Sequence, residues 1–248
     1  MRLTFLGTGS AMPSPTRLQS SLLVDHEGHT LLVDCGSGAT HRLAQTDRGY
    51  DDVDAVVLTH THLDHVADLS TLVKARWLDG IDALDVYGPP GTADTVERLL
   101  AVDSLNQRAD VRVRELEDIG SGTGRVEIGP HRLTYTETTH SARCLAYRFG
   151  DRLAISGDTA PDDAVFALAD GVDVLVHECS FPDGTETEGH TTPTALADGL
   201  GEISVDAVYL THLFPAAEAR ADEIESAVAA GTDANVTVPD DLETIGLD

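Results

Sequence analysis

The chain reads as an α/β (α+β) protein built as a four-layer sandwich, with two mixed β-sheets packed face to face and helices outside. Three observations predict this. Eleven short segments, many of them apolar runs, read as strands. Six helical patterns fall between them. The order also repeats: each half opens with antiparallel-looking strands and passes into strand–helix alternation, with a break near residue 130. Sheets that carry helices on one face bury the other face against each other, and loops from both halves then meet along one edge.

Residues 2–6, 21–25 and 30–34 open the chain as strands, with a loop rich in Gly, Ser and Pro at 9–15. A helical pattern covers 39–45. The apolar run 55–59 is the next strand, followed by a helix over 65–75, a strand over 84–87, a helix over 92–102 and a strand over 111–116. A glycine-rich loop at 120–124 ends this half. The other half has strands at 132–138, 144–149 and 153–156, then a helix at 161–169, a strand at 172–176, a helix at 192–201, a strand at 207–211 and a helix at 217–230. Gly7-Thr8-Gly9 has no Gly-Lys-Ser/Thr after it, so it reads as a tight turn near the loop edge and not as a phosphate-cradling loop. No long linker or shift in composition interrupts the 248 residues. One domain over 1–248 is expected, with pseudo-repeat halves of about 1–130 and 131–248.

The composition excludes several classes. No apolar stretch is long enough to span a bilayer, and the amino-terminal segment lacks a signal-peptide pattern. Cys35, Cys144 and Cys179 are odd in number and far apart, which suggests unpaired thiols in a reducing, cytoplasmic setting. The formal net charge is −27, from 43 acidic and 16 basic residues, and Lys74 is the only lysine. The acids are spread along the chain and not gathered in a tail. Close-set charges repel, and concentrated salt screens them, so a halophilic protein is expected. A cationic partner is the rival reading. Such a charge disfavours nucleic-acid binding by counterion release, although a local basic patch could survive it.

The densest chemistry is Thr59-His60-Thr61-His62-Leu63-Asp64-His65, at the end of the 55–59 strand. Imidazole and carboxylate are ligand types that zinc takes at about 2.0–2.2 Å. His60 and His62 are two apart and can point the same way in an extended turn; Asp64 and His65 are displaced from them and suit a second ion. The plain alternative is a helix start capped by Asp64 with surface histidines. Three more residues follow strand-like runs: His140 in Thr-Glu-Thr-Thr-His, Asp158 in Ile-Ser-Gly-Asp-Thr, and His212 in Tyr-Leu-Thr-His-Leu. Each alone has a structural explanation; together they complete the set that the first half leaves open.

With these blocks in place, the chain resembles the metallo-β-lactamase fold superfamily, and more narrowly its ribonuclease Z-like branch. The resemblance rests on Phe5-Leu-Gly-Thr-Gly-Ser10 with Ser20-Ser21, Leu32-Val-Asp-Cys-Gly36 and the His60–His65 motif. It extends through Val86-Tyr-Gly-Pro-Pro-Gly91, Thr139-His140, Gly157-Asp158-Thr159, Val176-His-Glu-Cys-Ser-Phe181, Gly189-His-Thr-Thr192 and Leu210-Thr-His212. It implies two Zn2+ ions, with Mn2+ or Fe2+ as substitutes. His60, His62 and His140 would hold the first, Asp64, His65 and His212 the second, and Asp158 would bridge them. It also implies that Glu178 and His190 act together, that Asp34 orients the metal-binding loops, and that the protein forms a homodimer. His26, His29, His41, His131 and His177 are left as structural.

Two divalent ions in such a site share a water and lower its pKa toward about 7, which suits hydrolysis of a phosphodiester. Asp64 would orient that water or take its proton, and His190, held charged by Glu178, would protonate the leaving alkoxide. The substrate expected is a small phosphodiester, a cyclic nucleotide among the candidates, or RNA. Ribonuclease Z enzymes that process tRNA typically carry a long arm between the equivalents of His140 and Asp158. Here those residues are 18 apart, room for two strands and a turn. The segment after His65 also lacks the glycine- and proline-rich pattern usual in that family. Alternatives are tRNA 3′ processing despite the missing arm, a lactone or thioester hydrolase, and a non-catalytic metal-binding module.

Overall fold

Leu22, Val24, Leu31 and Val33 belong to one core cluster, and Leu23 and Leu32 to another. This is the period of two that sends successive strand side chains to opposite faces. Both sets are buried, so the sheet that carries them is covered on each side. The computed structural model describes residues 1–81, 83–120 and 122–247; Ser121, inside the loop expected at 120–124, lies outside them.

The first sheet contains β1 (Arg2–Gly7), β2 (Ser21–His26), β3 (His29–Val33), β4 (Ala55–Val57), β5 (Ala83–Gly88), β6 (Asp110–Glu115) and β14 (Thr244–Gly246), in the order β14-β1-β2-β3-β4-β5-β6. The second contains β7 (Gly124–Ile128), β8 (His131–Glu137), β9 (Leu145–Phe149), β10 (Leu153–Ile155), β11 (Val172–Glu178), β12 (Val205–Thr211) and β13 (Asn235–Thr237), in the order β13-β12-β11-β10-β9-β8-β7. In each, antiparallel pairing gives way to parallel pairing, at β3–β4 and at β10–β11. The sheets face each other across a core that includes Leu3, Phe5, Val33, Val57, Tyr147, Phe149, Ile155 and Val176. Outside the first sheet, α1 (Ala39–Leu43), α3 (Leu69–Leu78) and α4 (Thr92–Ala101) bury Leu43, Leu69, Leu72, Val96 and Leu100 against Leu32 and Val56. Outside the second, α5 (Asp163–Ala169), α6 (Pro193–Leu200) and α8 (Ala221–Ala229) bury Phe166, Leu196, Leu200, Ile224 and Val228 against Leu175 and Val208. Four layers result, two mixed sheets between two shells of helices. No helix among the described residues is long and apolar enough to cross a membrane.

The structure departs from the expected elements in four places. The helix expected at 65–75 is two helices, α2 (Leu63–Val66) and α3. Between them Asp68 is pinned, its N–H donating to the Cys35 carbonyl and its carboxylate accepting from Thr40 N–H. The helix expected at 217–230 likewise starts earlier and breaks, into α7 (Pro215–Glu218) and α8, with Pro215 at the first turn. The short strands β13 and β14 and the half-exposed β7 are additional. The chain changes sheets between β6 and β7, a little before the break near residue 130, and its last strand, β14, returns to the first sheet beside β1.

Candidate metal centre

One edge of the sandwich carries the chemistry. Asp34 follows β3, His60 lies just past β4, Asp158 just past β10, Glu178 ends β11 and His212 follows β12. Parallel strands stop there while their loops diverge, which leaves a crevice at the carboxyl ends. Pairing continues to the rim: Cys179 N–H still donates to the Thr211 carbonyl. Asp34 (φ 59) and His212 (φ 58) then adopt the left-handed conformation, as does Gly157 (φ 61) just before Asp158. Non-glycine residues seldom adopt it, and such strain collects where a side chain must be aimed. The turn after β1 seals this edge. Gly7 passes so close to Gln19 that a Cβ would lie 1.9 Å from the Gln19 carbonyl oxygen, and the Thr8 carbonyl accepts from Leu213 N–H.

Several imidazoles of the cluster have Nδ1 fixed by an oxygen. His65 Nδ1–H donates to Asp34 Oδ2 at 2.7 Å. Thr59 Oγ1–H donates to the same oxygen at 2.8 Å, so Thr59 can accept from His60 Nδ1–H at 3.1 Å. His140 Nδ1–H donates to the Gly189 carbonyl at 2.7 Å. With those protons committed, Nε2 of His60, His65 and His140 is a bare lone pair in the neutral rings. Nε2 of His60 and of His65 is buried without a hydrogen-bond partner. His62 Nδ1 lies 3.2 Å from His140 Nε2, so the pair shares either a proton or a cation.

Asp158 is the hub. Its Oδ2 lies 3.6 Å from His60 Nε2, 3.9 Å from His140 Nε2 and 3.3 Å from His212 Nε2, and its Oδ1 lies 3.5 Å from His65 Nε2. Asp64 Oδ2 is 3.2 Å from His212 Nε2 and 3.7 Å from His65 Nε2. His60, His62, His140 and Asp158 offer atoms within 4.8 Å of one another, and so do Asp64, His65 and His212. Asp158 forms a third such group with His190 and His212. Orphaned, inward-facing imidazole nitrogens around two carboxylates are a donor set that suits divalent metal.

The electrostatics agree with that fit. Burial, then the charge of His65, holds the His60 pKa well below its usual value. Burial and His140 lower that of His62. Burial also works against a charged His65, yet Asp158 and Asp34 overcome it and raise its pKa well above the ordinary. Burial alone would raise the Asp158 carboxyl, but His212, His65 and His60 outweigh it and hold the group well below the carboxylate range. The carboxylates thus draw positive charge into the cluster.

Beside it, Glu178 Oε1 accepts from His190 Nδ1–H at 2.9 Å and from Thr159 N–H at 3.1 Å. Burial disfavours a charged His190, but the Glu178 hydrogen bond and charge prevail and raise its pKa. The His190 ring stacks on His212, with centroids 5.4 Å apart, and meets His140 edge-on at 5.1 Å. An open groove lined by Pro161, Thr185, Glu186, Thr187, Glu188 and Thr192 reaches His190. Every residue singled out from the sequence, His60, His62, Asp64, His65, His140, Asp158, His212, Asp34, Glu178 and His190, therefore falls in one cluster. His177 lies one residue from Glu178 on a strand and faces the other way, stacked on Phe166. His26, His29 and His131 gather elsewhere, against one another. Sequence reasoning did not single out Thr59, Ser180 or the Gly189 carbonyl. All three lie inside the motif blocks, but a hydroxyl or carbonyl acceptor has no spacing signature.

The geometry matches what comparison with known proteins finds. The metallo-β-lactamase fold protein YhfI from Bacillus subtilis superposes with a TM-score of 0.85 at 22% identity, covering 99% of each chain. The short form of human tRNase Z superposes at 0.81 with 23% identity over 100% of both. A diphosphatase of the PhnP family gives 0.75 with 19% identity over 100% of this chain and 98% of the other. The fold and sequence place the protein in the metallo-β-lactamase superfamily, on its ribonuclease Z-like branch. Ribonuclease Z of Mycolicibacterium gilvum is 30% identical over 275 residues, covering 99% of this chain and 96% of the relative. That of Mycobacterium marinum is 31% identical over 93% and 92%. The chain also belongs to the family described as anti-Pycsar protein Apyc1, whose profile matches residues 1–229.

Proposed function

We propose that the protein is a phosphodiesterase working with two divalent metal ions on a small phosphodiester, a cyclic nucleotide being one candidate. The observation that carries this reading is the inward convergence of orphaned imidazole nitrogens on Asp158, with the Glu178–His190 pair alongside. His60, His62 and His140 would hold one ion, Asp64, His65 and His212 the other, and Asp158 both. Bound there, the ions supply an acidified water and neutralise phosphoryl charge. Asp64 would orient the attacking water and take its proton. His190, kept protonated by Glu178, donates to the leaving alkoxide. Asp34 holds His65 and Thr59 in register.

Three features favour a small substrate. The 18 positions from His140 to Asp158 are spent on β9, a turn and β10, which leaves no length for a gripping arm. The groove that reaches His190 has Glu186 and Glu188 in its walls and neither lysine nor arginine. The net charge of −27 opposes a polyanion. A second reading, tRNA 3′ processing, is favoured by the relatives that are named ribonuclease Z; a homodimer partner would then have to supply the missing grip. The metal-loaded protein, assayed in high salt against a 3′,5′-cyclic nucleotide, bis-p-nitrophenyl phosphate, a precursor tRNA, a lactone and a glutathione thioester, separates the classes. Turnover of the diesters well above the rest is expected. Precursor tRNA as the best substrate selects the second reading, and carbonyl substrates alone would end both.

A further inference from the structure

Ser180 lies between the two functional groups of the site, fully buried. Its Oγ is 2.6 Å from Glu178 Oε2, 2.9 Å from His212 Nδ1 and 3.3 Å from His190 Nδ1. Hydrogen counting fixes the direction of each bond. Apart from the Ser180 hydroxyl, Glu178 already accepts three donors: Thr159 N–H and His190 Nδ1–H at Oε1 and Ser180 N–H at Oε2. A carboxylate so occupied is ionised and has no proton to give. The single Ser180 hydroxyl proton therefore points at Glu178, at a distance typical of a charge-assisted O–H···O bond. Ser180 can then only accept from His212, so the His212 proton sits on Nδ1. His212 Nε2 is left as a lone pair facing Asp64 Oδ2 at 3.2 Å and Asp158 Oδ2 at 3.3 Å.

We infer that Ser180 is a positioning residue that sets the His212 tautomer and, through Glu178, ties the His212 metal seat to the His190 donor. Three other imidazoles of the cluster take Nδ1 partners that make no hydrogen bond to His190 or Glu178: Asp34 for His65, Thr59 for His60 and the Gly189 carbonyl for His140. Ser180 is different because its acceptor, Glu178, also holds His190. Removing one hydroxyl thus disturbs a metal ligand and a proton donor together. The inference rests on the two-metal reading of the site but makes claims that do not need turnover.

The test uses the full chain with zinc alone as the probe. Histidine 15N spectra of the zinc-loaded wild type should show His212 bound through Nε2, with a slowly exchanging Nδ1–H. Zinc titration against a chromophoric chelator should show that Ser180→Ala weakens one of the two zinc equivalents by about 10–100-fold, the range for loss of a partner behind a metal ligand, and that the other equivalent is unchanged. Ser180→Thr, which keeps the hydroxyl, should restore affinity to within about threefold. On a diester with a poor leaving group, Ser180→Ala should lower kcat more than it raises KM. His212 bound through Nδ1, or two zinc equivalents as tight in Ser180→Ala as in wild type, overturns the inference. Should Ser180→Ala fail to fold, the wild-type spectrum still decides. Absence of diesterase activity with both zinc results as expected would overturn the proposed function and leave the Ser180 role standing.

Discussion

Asp34→Asn replaces two oxygens by one oxygen and one amide of the same shape, and its effects can be worked from the hydrogen bonds. Asp34 Oδ1 accepts from Thr59 N–H at 2.7 Å, and Oδ2 accepts from Thr59 Oγ1–H at 2.8 Å and His65 Nδ1–H at 2.7 Å. The asparagine oxygen can keep the backbone contact, which puts the NH2 group against two donors. Thr59 and His65 must then turn away or change protonation, and a His65 proton moved to Nε2 would point at Asp158. Asparagine tolerates the left-handed backbone of position 34, so the cost lies in the hydrogen bonds. Bonds to a charged acceptor contribute about 1.5–3 kcal/mol each. Losing the two at Oδ2 should therefore cost roughly 3–6 kcal/mol, part of it recovered by Thr59 rotation. Zinc affinity should fall by about 10–100-fold. Urea unfolding of the zinc-loaded and chelated protein measures the first quantity, and chelator competition the second. Zinc affinity within threefold of wild type would refute the argument that Asp34 holds His65 for the metal.

Other outcomes follow from the same geometry. His190→Ala should lower turnover of a diester with a poor leaving group by more than about tenfold, within the range for general acid catalysis, and should spare a p-nitrophenyl ester. A smaller loss on the poor leaving group removes His190 from the donor role. Burial lowers the His131 pKa from 6.5 to about 4, so the unfolded chain binds the extra proton between those values. His131 should contribute stability that is fully present above about pH 6.5 and lost as pH falls toward 4, on the order of 3 kcal/mol in all. His131→Gln should flatten the stability profile in that window by urea titration; an unchanged slope contradicts the assignment. With a charge of −27, unfolding temperature should rise steeply between 0.1 M and 3 M KCl, and equal values would dismiss adaptation to salt.

Legibility from the sequence followed the size of the physical signal. Strands covered on both faces, such as β3 with Leu31, Leu32 and Val33 all buried, announce themselves as apolar runs, and the four-layer plan follows from their order. β7 alternates Arg125 and Glu127 with Val126 and Ile128 at the rim of its sheet; the charged half of that pattern and the preceding glycines disguised it. β13 and β14 have three residues each and are half-exposed, so they lack the buried apolar run that made the equally short β4 and β10 visible. The helix break at Asp68 depends on tertiary contacts, to Cys35 and Thr40, and not on local propensity. Histidines and aspartates at strand ends stood out because few other roles need that residue type there. The groups that aim them, Thr59, Ser180 and the Gly189 carbonyl, did not, since hydroxyls and carbonyls occur everywhere and only distance picks them out.

The division of donors between the two sheets has a mechanical consequence. His60, His62, Asp64 and His65 follow β4 of the first sheet, whereas His140, Asp158 and His212 follow β8, β10 and β12 of the second. A cation held by the first group and by Asp158 would join the sheets at one edge of their shared core, acting as a cross-link whose strength is its affinity. Linkage then gives a stabilisation of about 4 kcal/mol when free metal exceeds Kd a thousandfold. Without the metal, His65 can take a proton between Asp34 and Asp158, which relieves the charge but spans only part of the cleft. The bridge of Gly9 to Leu213 lies on the same edge and ties the halves through their backbones, as does the Leu145 N–H bond to the Thr59 carbonyl. Chelation should therefore loosen this edge first, with amide exchange rising at residues 8–10 and 212–214 well before it rises in β3 or β11.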